Sequence, residues 1–270
     1  MTLDEAIRTL REAGVESPEF DARELFMHFG ALSRGDLISR TISLDDSVIA
    51  KPIRERAARR PLQYIIGEVG FYRELYKVTP DCLIPRQDTE ILVDFAVKNI
   101  PAGENFIDLC TGSGCIAIST VKNTKNTTCL AIDISEAALE LAKKNAEENE
   151  AFERIEFRKA DALSFKPREK VFAILSNPPY VTEEEYEKLE AELYHEPRLA
   201  LVGADNGLEF YKKITENTKD FLKPSGFIAF EIGKDQEDAL RQIAKENLME
   251  ISIIKDLASY PRVAVLKNAK

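Results

Sequence analysis

FIDLCTGSGCIAI (residues 106–118) reads as an apolar strand, a tight turn through Gly112 and Gly114, and the apolar start of a helix. Glycine lets the chain turn sharply and lets a ligand approach backbone N–H groups at the head of a helix. Working outward, CLAID (129–133), IEFRKA (155–160), VFAILS (171–176) and GFIAFEI (226–232) are further strand-like runs with helical stretches between them. That alternation predicts an α/β domain on a mostly parallel, Rossmann-like sheet. MEISIIKDL (249–257) and RVAVLK (262–267) have no helix between them and predict an antiparallel hairpin at the end of the sheet.

Upstream the pattern differs. From Leu3 to about Ile66 apolar residues recur at helical spacing, as in Leu3, Ile7 and Leu10 and then Leu25, Phe26 and Phe29, predicting a small domain of several short helices. Ser17 or Pro18 suits a helix start and Gly30 a helix end. KPIRERAARR (51–60) carries five positive charges against one negative. It fits either a solvated helix face with cations near the C-terminal end of the dipole or a docking surface. In FYRELYKVTPDCLIPRQ (71–87), aromatic and β-branched residues alternate with polar ones around Pro80-Asp81, which predicts a β-hairpin linker. The expected domains are residues 1–68, helical; 69–86, the hairpin linker; and 87–270, the α/β domain.

Composition narrows the classes. The 270 residues are 44% hydrophobic and 31% charged, and no apolar run approaches the roughly 20 residues that span a bilayer. MTLDEAIRTLREAG lacks the basic start and apolar stretch of a secretory signal, so a cytoplasmic protein without a membrane role is expected. The cysteines at 82, 110, 115 and 129 form no CxxC pair, and only His28 and His195 could serve as neutral metal ligands; reduced thiols and no metal are expected. A net charge of −10 repels a phosphate backbone, so stable binding of long nucleic acid is disfavoured.

Three acids give the glycine loop its context. Asp133 ends the second strand of the α/β region, where a carboxylate can accept both hydroxyl hydrogens of an adenosine ribose, and Ser135 caps the next helix. Asp161 closes the third strand, so its side chain or the backbone at Ala162 could read an adenine edge. Asp108 precedes the loop and could meet a ligand's ammonium group. Any one of them also reads as a cap or loop residue. Three at successive strand ends point to a ligand, because open α/β sheets bind there. GSGCIA also satisfies the dinucleotide fingerprint, which keeps a NAD-dependent oxidoreductase open.

The fourth strand runs into Ser176-Asn177-Pro178-Pro179-Tyr180. The prolines stiffen the loop and free the Pro178 carbonyl to face a ligand, and the Asn177 side-chain oxygen is a second acceptor. Two acceptors side by side match the two N–H bonds of a planar NH₂ group, and Tyr180 offers a face for that plane. A planar amide or aminopurine fits. Accepting both hydrogens returns electron density to the nitrogen and aligns it for in-line attack on a sulfonium methyl. The alkylated product is acidic enough to lose its proton without a dedicated base.

Together with RRPLQYIIGEVGFY (59–72), LIPRQDTEILVD (83–94), HEPRLALVGADNGLEFY (195–211), FEIGKDQ (230–236) and KDLASYPRVAV (255–265), in that order, the chain resembles the HemK/PrmC protein-(glutamine) methyltransferases that modify peptide chain release factors. The resemblance covers nearly the whole chain. It implies a helical substrate-docking domain joined to a class I methyltransferase domain, with S-adenosyl-L-methionine as cofactor and S-adenosyl-L-homocysteine as product. The acceptor it implies is the glutamine of a GGQ loop, and the protein is expected to be a monomer. By motif position Asp108, Cys110, Thr111, Gly112, Ser113 and Gly114 resemble the cofactor loop, Asp133 the ribose ligand, and Asp161 with Ala162 the adenine neighbourhood. Asn177, Pro178, Pro179 and Tyr180 resemble the glutamine site, with Asn177 also beside the cofactor and Arg86 and Thr89 near both ligands. A ribosomal-protein glutamine methyltransferase and a nucleic-acid adenine methyltransferase stand as alternatives. Cys110 occupies a position where glycine is common, Gln87 one where proline is common, and Ala258-Ser259 replaces Ala-Gly. Positive φ at Cys110 would cost about 1 kcal/mol or more, so an ordinary conformation is expected there.

Overall fold

Leu3, Ala6, Ile7 and Leu10 recur at helical spacing and are all buried, which defines helix α1 (Leu3–Glu12) and its inward face. The computed structural model describes residues 1–38 and 42–269, which fall into two compact units. The first, Met1–Glu68 with Glu190–His195, is helical. Thr2 and Glu5 form a reciprocal capping box on α1. Helix α2 (Pro18–Gly30) starts with Ser17 at its cap and proline at the first turn; α3 (Asp46–Ala57) is capped by Asp45, and α4 (Leu62–Ile66) stops at Gly67. Leu3, Leu10, Leu25, Phe26, Ile49 and Ile53 fill one core between them.

Helix α2 ends at Gly30 as expected, though the cap conformation falls one residue later. Ala31, not Gly30, takes the left-handed conformation that ends α2, with φ of 48°. A Cβ on Gly30 would lie 2.8 Å from Leu44 Cδ2, the end of a flexible side chain that would have to shift. The basic run is a solvated face in part, with Lys51 and Arg54 exposed, while Arg56 and Arg59 are tied into the fold. Arg56 is buried, with Nε donating to Asp21 Oδ2 at 2.6 Å and Nη2 to Glu192 Oε1 at 2.8 Å. Arg59 reaches Glu192 Oε2 at 2.6 Å. Burial opposes ionisation of Glu192, but hydrogen bonds from Arg59 and Arg56 outweigh it and hold its pKa at about 2.

The second unit, Val69–Leu189 with Glu196–Lys270, opens with strands β1 (Glu68–Phe71) and β2 (Glu74–Lys77), paired across a two-residue turn at Tyr72-Arg73. The hairpin therefore turns well before Pro80-Asp81, and residues 78–86 carry no strand. Buried polar contacts hold it down. Asn145 accepts from Lys77 N–H at 2.8 Å and donates to the carbonyls of Lys77 and Ser113, tying the hairpin to the glycine loop.

Helix α5 (Glu90–Asn99) leads into the main sheet: β3 (Asn105–Leu109), α6 (Cys115–Lys122), β4 (Thr128–Asp133), α7 (Glu136–Glu148), β5 (Ile155–Lys159) and β6 (Val171–Ser176). Short turns α8 (Glu183–Tyr186), α9 (Arg198–Leu201) and α10 (Ala204–Gly207) precede α11 (Glu209–Thr218), β7 (Leu222–Glu231), α12 (Glu237–Glu246), β8 (Met249–Lys255) and β9 (Pro261–Asn268). The order is β5-β4-β3-β6-β7-β9-β8, parallel from β5 to β7, with β9 antiparallel to both neighbours. Strands covered on both faces must be apolar throughout, and all six residues of β6 are buried. One face packs against α5, α6 and α7 through residues such as Leu92, Ile116 and Ala146; the other packs against α11 and α12 through Tyr211, Ile214, Leu240 and Ile243. This is the α/β architecture on a mostly parallel sheet that the alternation predicts, closed by the expected antiparallel hairpin. Among the described residues no helix is long and apolar enough to cross a membrane, and all four cysteines are free.

Replacing Arg56 with methionine leaves the Asp21 carboxylate buried without its cation. We expect a loss of about 3–5 kcal/mol in unfolding free energy, measured by urea denaturation of the full chain.

Candidate active site

Chain order reverses at β3, where β4 and β5 lie to one side and β6 and β7 to the other, so the loops leaving β3 and β6 part and leave a crevice. A cavity of about 250 Å³ opens there, at the C-terminal ends of β3 to β6. A larger groove, about 610 Å³, lies at the opposite strand ends among Asn105, Glu153, Arg154 and Glu169. It has no glycine turn and mixes charges of both signs, so the strand C-termini are the better candidate.

On the β3 side the wall is the loop itself: Cys110, Thr111, Gly112 and Ser113. Cys110 has φ of 62°, which overturns the ordinary conformation expected for it; Gly112 and Gly114 are also left-handed, at 54° and 82°. A non-glycine residue in that region costs about 1–2 kcal/mol. The turn is held by neighbours: Thr111 N–H donates to the Ile132 carbonyl at 2.9 Å and Gly114 N–H to the Thr111 carbonyl at 2.8 Å. Gly114 does not line the cavity. A Cβ there would lie 3.0 Å from Ile118 Cδ1 and 3.1 Å from Ala142 Cβ, so its part is close packing of α6.

Asp133 lines the cavity with both oxygens already engaged, Oδ2 accepting from Gly112 N–H and Oδ1 from Ser135 N–H, each at 2.9 Å. Each carboxylate oxygen keeps a further lone pair for a ligand hydroxyl. Burial raises the Asp133 pKa, and the backbone donors oppose the rise. Ser135 Oγ caps α7 by accepting from Ala138 N–H at 3.2 Å. Asp161 and Ala162 line the next stretch of wall, Asp161 Oδ1 accepting from Leu163 N–H at 2.9 Å. Asp108 departs from its expected place beside a ligand ammonium. It is fully buried beneath the loop, away from the cavity wall, and Oδ2 accepts from Thr111 Oγ1 at 2.6 Å. Burial pushes its pKa up to about 7.

On the β6 side, Ser176 Oγ donates to the Leu109 carbonyl at 2.6 Å, pinning this strand end to β3. Asn177 and Pro179 line the cavity, as do Arg86 and Thr89; Pro178 and Tyr180 lie behind them. Asn177 Nδ2 donates to Thr89 Oγ1 at 3.3 Å, which leaves its side-chain oxygen as the remaining acceptor. The Tyr180 hydroxyl turns to Glu231 Oε1 at 3.4 Å. Burial is the main reason that the Tyr180 pKa is raised, with the Glu231 charge adding to it. Behind this loop a Cβ on Gly203 would lie 2.4 Å from the Pro179 carbonyl oxygen, and one on Gly207 only 2.1 Å from that of Tyr180. The left-handed run Asp205-Asn206-Gly207 lets the chain pass that close.

Several wall residues were not assigned to the site by sequence reading: Ile134 lies in none of the quoted stretches, while Cys82 to Pro85, Pro197, Leu199, Ala200 and Phe210 lie in quoted stretches without a role of their own. Glu196 was equally invisible. It is a buried carboxylate in a loop, accepting from Ile84 N–H at 2.9 Å and pairing with Arg86, and so joins two stretches of wall. A lone acid in HEPRLAL gives no spacing from which to infer that contact.

Comparison with known proteins follows the same division. Residues 2–67 match the PrmC N-terminal domain and residues 87–206 the methyltransferase small domain. The release factor glutamine methyltransferase of Thermodesulfovibrio yellowstonii is 38% identical over 261 residues, 93% of this chain and 92% of that protein. The chain belongs to the release factor glutamine methyltransferase family. Its counterpart from Fusobacterium nucleatum is 35% identical over 98% of this chain and 78% of that protein. A methyltransferase structure from Pyrococcus furiosus, 21% identical, superposes with a TM-score of 0.53 over 72% of this chain and 89% of that one, which supports the fold. Membership makes the chain an S-adenosylmethionine-dependent enzyme, and the NAD reading falls away. The cavity suits that cofactor through the free lone pairs of Asp133 and the backbone turn at Gly112.

Two measurements follow from this geometry. Gly207→Ala must displace the Tyr180 backbone; we expect about 1–3 kcal/mol of destabilisation, read as a lowered Tm together with reduced turnover. An acid whose folded pKa is raised contributes stability fully present below its unfolded pKa and lost as pH rises through the folded value. Thermal stability should therefore fall between about pH 4 and 7, and Asp108→Asn should remove part of that fall.

Proposed function

We propose that this protein transfers the methyl group of S-adenosylmethionine to the side-chain amide nitrogen of the glutamine in the GGQ motif of peptide chain release factors. When bound, the cofactor supplies an electrophilic sulfonium methyl. The observation that carries the proposal is the Asn177 side chain, whose NH₂ is held by Thr89 while its oxygen is left for a ligand in the same cavity as Asp133.

The chain's residues divide the work. Asp133 accepts ribose hydroxyls, the turn 110–113 gives the cofactor a close backbone approach, and Asp161 with Ala162 borders the adenine. The Asn177 oxygen accepts one amide hydrogen, which raises electron density on nitrogen and fixes its line of attack; the Pro178 carbonyl, outside the cavity lining, would have to turn in to accept the other. With the cofactor bound, the oriented amide nitrogen would take the methyl group as the carbon–sulfur bond breaks, the electron pair would stay on the departing sulfur, and the alkylated amide would give its proton to solvent. Pro179 bounds the acceptor plane with Tyr180 supporting the loop behind it, and Arg86 and Thr89 complete the wall between the two ligands.

Residues 1–68 would dock the release factor, residues 69–86 would link the two parts, and residues 87–270 would carry the chemistry. A translation factor as substrate places the reaction in the cytoplasm. The net charge of −10 supports a protein acceptor over long nucleic acid, and one chain holds every residue invoked, so a monomer suffices.

Purified protein with labelled S-adenosylmethionine and a recombinant release factor should add one methyl group to the GGQ glutamine, located by peptide mass spectrometry; bound cofactor without transfer would overturn the acceptor assignment. Asn177→Ala should lower turnover by about 10²-fold or more with cofactor affinity nearly unchanged, as resolved by single-turnover kinetics and calorimetry.

A further inference from the structure

Glu196 has no part in the mechanism above, yet its side chain is only 1% exposed. Burying a carboxylate is costly unless donors meet its oxygens, and here both oxygens are met. Oε2 accepts from Ile84 N–H at 2.9 Å, and Oε1 pairs with the Arg86 guanidinium. Those two donors lie in residues 82–86, which belong to no strand or helix and yet form one side of the cavity.

The span that Glu196 holds runs from one ligand region to the other. At its start Cys82 packs against Ala138 and Leu141 of α7, the helix whose cap residue Ser135 donates its N–H to Asp133. Just beyond its end Thr89 accepts from Asn177 Nδ2 at 3.3 Å. On the other side of Glu196, Pro197, Leu199 and Ala200 also line the cavity, and the Leu201 carbonyl accepts from Val181 N–H at 2.9 Å, next to the acceptor loop. One buried carboxylate therefore joins the wall between the two ligand regions to the chain that backs the acceptor loop.

Charge gives the contact a second consequence. Among the described residues, Arg86 is the only lysine or arginine in the cavity lining, against Asp81, Asp133 and Asp161. S-adenosylmethionine carries a positive sulfonium, and S-adenosylhomocysteine a neutral sulfur; the ammonium, carboxylate and nucleoside are common to both. An unpaired guanidinium in the wall would repel the first relative to the second. We propose that Glu196 is a positioning residue of the cofactor cavity: it fixes Ile84 and Arg86 in the wall and neutralises the Arg86 charge, so that the wall does not select for the spent cofactor over the sulfonium. This inference rests on the cofactor use that family membership establishes, whichever acceptor is methylated.

The test measures binding of both cofactor forms to the full chain by calorimetry, with no acceptor present. Glu196→Gln keeps the size of the side chain but removes its charge and sets an NH₂ against one of the two donors. In that variant the Kd for S-adenosylmethionine divided by that for S-adenosylhomocysteine should rise about three- to tenfold; Arg86 is 38% exposed, so solvent screening keeps the effect modest. Arg86→Met removes the cation and leaves the carboxylate, so its ratio should fall. The double variant Glu196→Gln/Arg86→Met should return to within about twofold of the parent. Added salt should shrink the shift in Glu196→Gln. A lowered Tm with the parental ratio would mean that Glu196 only stabilises the fold and would overturn the inference, as would a ratio that moves the same way in both single variants. Should Glu196→Gln not fold, a parental or raised ratio in Arg86→Met overturns it alone. Hydrogen exchange of the cofactor-free chain reads the holding role separately. The Ile84 amide should exchange at least about tenfold faster in Glu196→Gln than in the parent; equal rates would sink that role.

Discussion

Because the chain winds away from β3 toward β4 and β5, and away from β6 toward β7, the two central loops have to part. Everything chemical in this protein is arranged around that gap. Asp133 and Asp161 stand on the β4 and β5 side, which suits a nucleoside; Tyr180 and Glu231 stand on the β7 side, away from it. Asn177 and the glycine loop face each other across the division, where a methyl group would pass. A parallel sheet in any other strand order would not bring these particular loops to one crevice.

Holding loops at such a place costs conformational and electrostatic free energy. Cys110 adopts a backbone conformation that favours glycine, two acids lie wholly buried with pKa values near 7, and glycine backbone is pressed against the carbonyls of Pro179 and Tyr180. The surroundings offset the cost with short, directed hydrogen bonds: Ser176 to Leu109, Thr111 to Asp108, Gly112 and Ser135 to Asp133. Within the main sheet the buried acids are thereby gathered at this end, while the strands themselves are largely plain Val, Ile, Leu and Phe packing.

What could be read from sequence was whatever has a period or a stiff local geometry. The strands of the sheet, the terminal hairpin, the cap at Ser135 and the acid at the end of β4 all follow from patterning and capping rules, and the ordered motifs identified the family. What escaped depends on partners far away along the chain. Arg56 looked like one cation among several until Asp21 and Glu192 met it. Glu196 and Glu231 are single acids whose meaning lies in Arg86 and Tyr180. Asp108 sits at a strand end as expected, but one step of the strand's alternation turns it beneath the loop. Cys110 misled because the penalty for positive φ was weighed without the contacts that absorb it.

The short segment Glu190–His195 belongs to the helical unit although some 120 residues separate it from Glu68. The order of synthesis is therefore at odds with the order of assembly. Residues 1–68 leave the ribosome with Arg59 lacking its carboxylate and Arg56 holding one of its two, and Glu192 follows only after roughly ten seconds of elongation at typical rates. In that interval the nascent helical unit is a more basic and less tightly tied body than the one in the finished protein. Its completion reports that the chain has been made through the acceptor loop.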